Sequence, residues 1–261
     1  MRHDVDLIRL RSWRSSALGY SVFVFLVRDQ LIDTGFPGTR EAVGRLVDER
    51  RPRGVIVTHQ HEDHAGNVEL MAQRGIPVAM APATEAALRA GESSVGLYRR
   101  VCWGTMGPLR AALEPHQPTG LELVPTPGHS PDHHVVWDAE RETLYSGDLF
   151  LGVKVRVARP MEDPRALALS ARRAAAFRPR RVFDSHRGLV PNGADALSAK
   201  AAWLEDMIGR IERRIAEGWG DRAITRAVLG REDAVYAFSR GDLSRVNLVR
   251  AVRATGATVA G

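Results

Sequence analysis

The chain of 261 residues carries a single cysteine, Cys102, so no disulfide can form within it. Such usage suits a reducing compartment and predicts a cytoplasmic protein. Lysine is nearly absent as well. Of 37 basic side chains only Lys154 and Lys200 are lysines, and the formal net charge is +6. An arginine skew of this kind can follow from genome composition, so charge alone gives a nucleic-acid partner little support. Long apolar runs are missing too. The longest, Leu18–Val27, falls far short of the ~20 residues that span a membrane. Met1–Ser16 alternates charged and apolar residues and lacks the apolar segment of a secretory signal. What the chain does have is an apolar fraction of 44%, enough to build a sizeable core and to exclude disorder as the default. Its length allows one large domain, or a large domain with a small appendage.

Short β-branched and aromatic runs predict strands at Val5–Leu10, Tyr20–Val27, Gln30–Asp33, Gly54–Thr58 and Ile76–Met80. Helical spacing predicts helices over Glu41–Arg50, Asn67–Arg74 and Ala83–Arg89. Gly91–Pro118 has no clean period and reads as a long irregular connection, packed as a lid because of Tyr98, Cys102, Trp103 and Met106. Strands follow at Leu121–Pro125, Val135–Trp137 and Thr143–Tyr145. The apolar, β-branched stretch Leu149–Ala158 comes next, then a helix at Pro164–Phe177 and a strand at Arg181–Phe183. From Ala194 onward the pattern is helical, over Ala196–Glu217, Arg222–Leu229 and Leu243–Ala254. Strands and helices in this order predict a layered α/β domain over 1–190, with a helical extension over 191–261 packed on it.

Chemistry concentrates in Thr58-His59-Gln60-His61-Glu62-Asp63-His64-Ala65-Gly66. Imidazole and carboxylate are ready ligands for zinc and similar cations, and this cluster sits between a strand and a helix, where side chains can converge. Three further residues lie just past apolar strand-like runs: His129, Asp148 and His186. Together they define a plausible ring of ligands.

The pattern His59-x-His61-x-Asp63-His64, followed in order by His129, Asp148 and His186, resembles the metal-binding set of the metallo-β-lactamase superfamily. The resemblance spans about Asp33 to His186. It implies a four-layer αββα sandwich with two divalent ions at one edge of the paired sheets, most simply Zn²⁺, although Fe or Mn suit the same ligands. Carried over, His59, His61 and His129 would hold one ion, Asp63, His64 and His186 the other, and Asp148 would bridge both. Asp33, Thr58 and His133 would support the ligands from behind, whereas His134, His116 and His3 would not ligate. Paired ions ~3.5–4 Å apart lower the pKa of a bound water towards 7, so a bridging hydroxide would attack the substrate while Asp63 orients it and moves its proton. Cys102 is expected to pack in the core.

The implied activity is a metal-dependent hydrolase of a small ester, thioester or lactone. A phosphodiesterase or ribonuclease acting on nucleic acid is the second reading, because the helical tail loosely resembles that of the β-lactamase-like protein 2 group. A mononuclear iron persulfide dioxygenase is the third. His61 stands where the flavodiiron oxidases carry a carboxylate, and Asp132 where glyoxalase II usually has glycine. Tyr98, Trp103, Met106, Arg156 and Arg159 are expected to wall the pocket of a small-molecule substrate. No membrane partner is expected, and nothing in the sequence sets an oligomeric state.

Overall fold

A computed structural model describes residues 5–91 and 95–257. In chain order the elements are β1 (Asp6–Leu10), α1 (Trp13–Ala17), β2 (Val22–Val27), β3 (Gln30–Ile32), α2 (Arg40–Arg50), β4 (Gly54–Ile56), α3 (Glu62–Ala65), α4 (Val68–Gln73), β5 (Val78–Ala79), α5 (Pro82–Ala90) and α6 (Leu97–Trp103). After them come β6 (Glu122–Pro125), β7 (His134–Asp138), β8 (Thr143–Tyr145), α7 (Pro164–Ala176), β9 (Arg181–Asp184), β10 (Gly188–Val190), α8 (Gly193–Ala216), α9 (Asp221–Val228), α10 (Ala234–Ser239) and α11 (Arg245–Ala257).

The strands form two five-stranded sheets, ordered β1-β2-β3-β4-β5 and β10-β9-β8-β7-β6. In the first, β1, β2 and β3 pair antiparallel, then β4 and β5 continue parallel. In the second only β8 and β9 are parallel.

Side chains alternate faces along a strand, and here each face meets a different layer. Phe25 and Val27 of β2, with Ile32 and Ile56, point between the sheets to meet Val136, Tyr145 and Phe183. Phe25, Tyr145 and Phe183 form an aromatic cluster there, with ring centroids 5.3–5.7 Å apart. Val22 and Val24 point outward to α2, α4 and α6, joining Val43, Val47, Met71 and Trp103. On the far side Val135, Trp137, Leu144 and Val182 meet α7, α8, α9 and α11. The result is the αββα sandwich that the resemblance implies. One apolar cluster holds Val182 and Val190 together with Leu197, Leu204, Ile224 and Val249, so it runs across residue 190 without a break.

Three local features go beyond the sequence reading. The connection 91–118 is not wholly irregular, because α6 forms inside it and buries Tyr98, Arg99, Cys102 and Trp103. Residues 149–158 form no strand. They make turns at Leu151 (φ 48°) and Gly152 (φ 131°), and only Ala158 makes a β-bridge, to Ser244. Strand β10 is three residues long, too short for a periodic signal. His3 lies outside the described residues. Among the described residues no helix is long and apolar enough to cross a membrane.

Candidate metal centre

Each ligand candidate sits just beyond a strand or on the short helix α3, at the same end of both sheets. The run from β4 into α3 delivers His59, His61, Asp63 and His64. The loop after β6 brings His129, the turn after β8 brings Asp148, and the turn after β9 brings His186. Gly147 makes the β8 turn possible: its φ is 49°, and a Cβ there would stand 2.8 Å from His133 Nε2. Only glycine accommodates that backbone at so close an approach.

The seven side chains converge in two groups that share one residue. His59, His61, His129 and Asp148 form the first, and Asp63, His64, Asp148 and His186 the second, with the potential ligand atoms of each group within 4.8 Å of one another. In the first, His61 Nδ1 lies 2.9 Å from His59 Nε2 and 3.0 Å from His129 Nε2, and Asp148 Oδ2 lies 3.3 Å from His129 Nε2. In the second, Asp148 Oδ1 lies 3.2 Å from His64 Nε2 and 3.3 Å from His186 Nε2, while Asp63 Oδ2 lies 3.3 Å from His186 Nε2. The two oxygens of Asp148 therefore face different groups.

Hydrogen bonds behind the ring fix which imidazole nitrogen is bare. His64 Nδ1 donates to Asp33 Oδ2 at 2.8 Å, and His186 Nδ1 to the Ser21 carbonyl at 3.0 Å. Thr58 Oγ1 donates to Asp33 and stands 3.0 Å from His59 Nδ1. Each of these histidines thus turns a lone pair on Nε2 into the cluster, the usual arrangement of metal-binding imidazoles. His64 Nε2 and Asp148 Oδ1 are buried without a hydrogen bond. Buried polar atoms are rarely left so without a functional reason.

Charge tells the same story. Burial pulls the His64 imidazole down, but Asp148, Asp33 and Asp63 together hold it well above the ordinary value. His186 is likewise pulled down by burial and raised overall by Asp148 and Asp63. Asp63 is raised by burial yet drops to about 2 beside His64 and His186. Three carboxylates around one buried imidazole demand positive charge. In contrast, burial and neighbouring imidazoles push His59 well below its usual value, which leaves it a neutral donor. The donor set fits divalent cations on both counts.

Asp33, Thr58 and His133 lie behind the ring, within hydrogen-bond reach of the ligand-bearing segments. His133 Nε2 accepts from the Asp148 amide at 3.1 Å and its Nδ1 pairs with Thr126 Oγ1. His134 bonds the Asp132 carbonyl, His116 pairs with Gln30, and Cys102 is buried in the outer core. The wall residues divide. Met106 borders a cavity of about 360 Å³ next to the cluster, with Gln60, His61, Glu62, Leu88 and Met161. Trp103 is not among the described residues lining it. Helix α6 turns this ring inward, where it packs 4.8 Å from Phe36 and 5.8 Å from Tyr20. Tyr98 also turns away from the cavity, donating to Asp242 at 2.5 Å. Arg156 is exposed. Arg159 is part-buried, its Nη1 has no hydrogen-bond partner, and its charge acts on His61.

Several supports have no signature in the sequence. Asp132 accepts from Gln60 N (2.8 Å), Thr84 Oγ1 (2.9 Å) and Ser130 Oγ (2.7 Å), tying the histidine loop to α5 and to the His129 loop. Glu62 pairs with Arg99 of α6, Nε to Oε1 at 2.7 Å, and both are buried. Only the position of Glu62 inside the cluster could have drawn notice to it.

Comparison with known proteins agrees with this geometry. The model of the metallo-beta-lactamase superfamily matches residues 21–186. The chain belongs to that superfamily. A Caenorhabditis elegans beta-lactamase-like protein 2 homolog is 26% identical over 170 residues, covering 61% of this chain and 52% of that protein. An uncharacterised Bacillus subtilis protein, YobT, is 28% identical over 153 residues, covering 50% and 63%. The chain thus spans less than two thirds of the length of these curated relatives. Among solved structures, a metallo-beta-lactamase family protein from Thermus thermophilus aligns over 97% of this superfamily member and 94% of its own chain, with a TM-score of 0.67 and 17% identity. The FIM-1 metallo-beta-lactamase from Pseudomonas aeruginosa, solved in a mono-zinc form, covers 79% and 93%, with a TM-score of 0.55 and 18% identity. At these identities the likeness is one of fold.

Proposed function

We propose that this protein is a two-metal hydrolase, most simply a dizinc enzyme, that cleaves a small ester, thioester or lactone. The observation that carries the reading is the split of Asp148 between two groups of imidazole and carboxylate donors, with bare nitrogen and oxygen atoms facing inward. His59, His61 and His129 would hold one ion and Asp63, His64 and His186 the other, with Asp148 between them. When bound, such ions supply an acidified water and Lewis acidity for the substrate's carbonyl oxygen. Asp63 would accept and pass on the proton of the attacking water, a role supported by its position on α3, 3.3 Å from His186 Nε2. Gln60, Leu88, Met106 and Met161 form one mixed wall of the cavity beside His61 and would orient the substrate. Its volume is large enough for a small molecule. Arg159, whose charge lies near His61, would face a polar or anionic part of that substrate.

Elemental analysis of the purified protein, read beside turnover of a thioester, a lactone and a phosphodiester, tests the reading. About two zincs per chain with ester or thioester cleavage supports it. About one iron per chain with no hydrolysis overturns it. His61→Ala or Asp148→Ala should each abolish turnover and lower metal content, and full activity in both would sink the mechanism.

A further inference from the structure

In a chain that uses arginine for almost every cation, one of two lysines is buried. Lys200 lies on α8 and is only 2% exposed. No carboxylate among the described residues forms an ion pair with its ammonium. Instead it donates to the Phe150 carbonyl at 2.6 Å and approaches the Gly152 carbonyl at 3.4 Å. Burying a cation is costly, and burial duly pulls the Lys200 ammonium down to about 8. A compact ammonium can reach two carbonyls of one tight turn, whereas a planar guanidinium needs more room.

That turn, Phe150–Gly152, follows directly on the one that carries Asp148. Leu149 N bonds Ser146 O at 2.9 Å, and Leu151 takes a left-handed φ of 48°. Leu151 N donates to Asp184 Oδ2 at 2.7 Å, and Arg187 Nε donates to the Leu151 carbonyl at 2.7 Å. Asp184 Oδ1 also accepts from the amides of His186 and Arg187, both at 2.8 Å. One knot thus holds the backbone on the far side of Asp148 and that of His186, and Lys200 is the part of it supplied by the C-terminal helices.

We propose that Lys200 is a positioning residue: by clamping the Phe150–Gly152 turn it sets how Asp148, and with it His186, face the Asp63–His64 group. The proposal rests on the two-metal reading and adds that the helices after residue 190 tune one of the two metal positions. His186 belongs to the second group alone and Asp148 to both, and the first keeps three histidines that the knot does not touch.

The test is stepwise titration of metal-free protein with Co²⁺, following visible absorption and thermal stability, in wild type and Lys200→Met. Wild type should take up two ions. In Lys200→Met the second uptake should weaken by about 10–100-fold, as for other partners of metal ligands, with altered visible bands, while the first stays within a few-fold. Lys200→Gln, which keeps a donor but falls short of the turn, should lie between them and serves where the Met variant does not fold. Two ions bound with wild-type strength and unchanged bands would overturn the proposal. So would equal loss of both ions together with lower stability of the metal-free protein, since that marks general loosening. A wild type that takes up no cobalt would instead remove the two-metal reading on which the proposal stands.

Discussion

Asp33 accepts from the Thr58 amide at 2.8 Å, from Thr58 Oγ1 at 3.0 Å and from His64 Nδ1 at 2.8 Å, and is wholly buried at a left-handed φ of 63°. An amide in its place would offer one oxygen and one NH₂, and the NH₂ cannot accept. Asp33→Asn should therefore free the His64 tautomer and weaken metal binding by about 10–100-fold, a drop that competition with a chelating indicator dye would measure. Wild-type affinity in that variant would show that Asp33 supports only the turn. At this scale much of the site is legible from sequence. His59, His61, Asp63, His64, His129, Asp148 and His186 announce themselves because they are ligand-type side chains clustered between a strand and a helix or set just past apolar strand-like runs. Asp33 and Thr58 are legible through the family resemblance. Lys200, Asp132 and Arg99 are not, because their partners lie 48, 72 and 37 positions away and no local pattern encodes such pairings.

At the scale of elements, α6 shows why aperiodic sequence misleads. Flanked by glycines at 96 and 104, its seven residues are too few for a readable helical stripe. What fixes it is tertiary: Trp103 fills the outer core beside Phe36, and Arg99 neutralises Glu62 on the histidine loop. Helix α6 is thus tied to the metal loop through a buried ion pair. Removing one partner of such a pair leaves a charge without compensation, which costs ~3–5 kcal/mol. Arg99→Met should lower stability by about that amount in chemical denaturation. Glu62→Gln should also destabilise, and the double variant should recover part of the loss. A purely additive double variant would mean that the two side chains do not act as a unit. The strands, by contrast, are readable where β-branched and aromatic residues gather, as in β2 and β7, and unreadable in β10, whose three residues are too few for such a run.

Across the whole molecule, the buried Lys200 makes stability depend on pH in a definite direction. Its ammonium is held at about 8 in the folded chain against 10.5 when exposed. Below pH 8 both states carry the proton, so the full cost of burying the charge is present. Between about 8 and 10.5 the unfolded chain binds more protons than the folded one, so stability rises with pH; above that range the gain is complete. The shift corresponds to ~3 kcal/mol. Tyr98 and Cys102 are also raised, Cys102 to about 11, and their ionisation adds a background of its own at high pH. The difference between wild type and Lys200→Met cancels that background. Urea denaturation of the two metal-free proteins from pH 7 to 10.5 should therefore show wild type gaining relative to the variant by up to ~3 kcal/mol. A difference that stays flat over that range would mean that the carbonyls of Phe150 and Gly152 solvate the ammonium as well as water does. In that case the clamp on the Asp148 turn costs the fold little, and a lysine at this position needs no offsetting benefit at the metal centre to be retained.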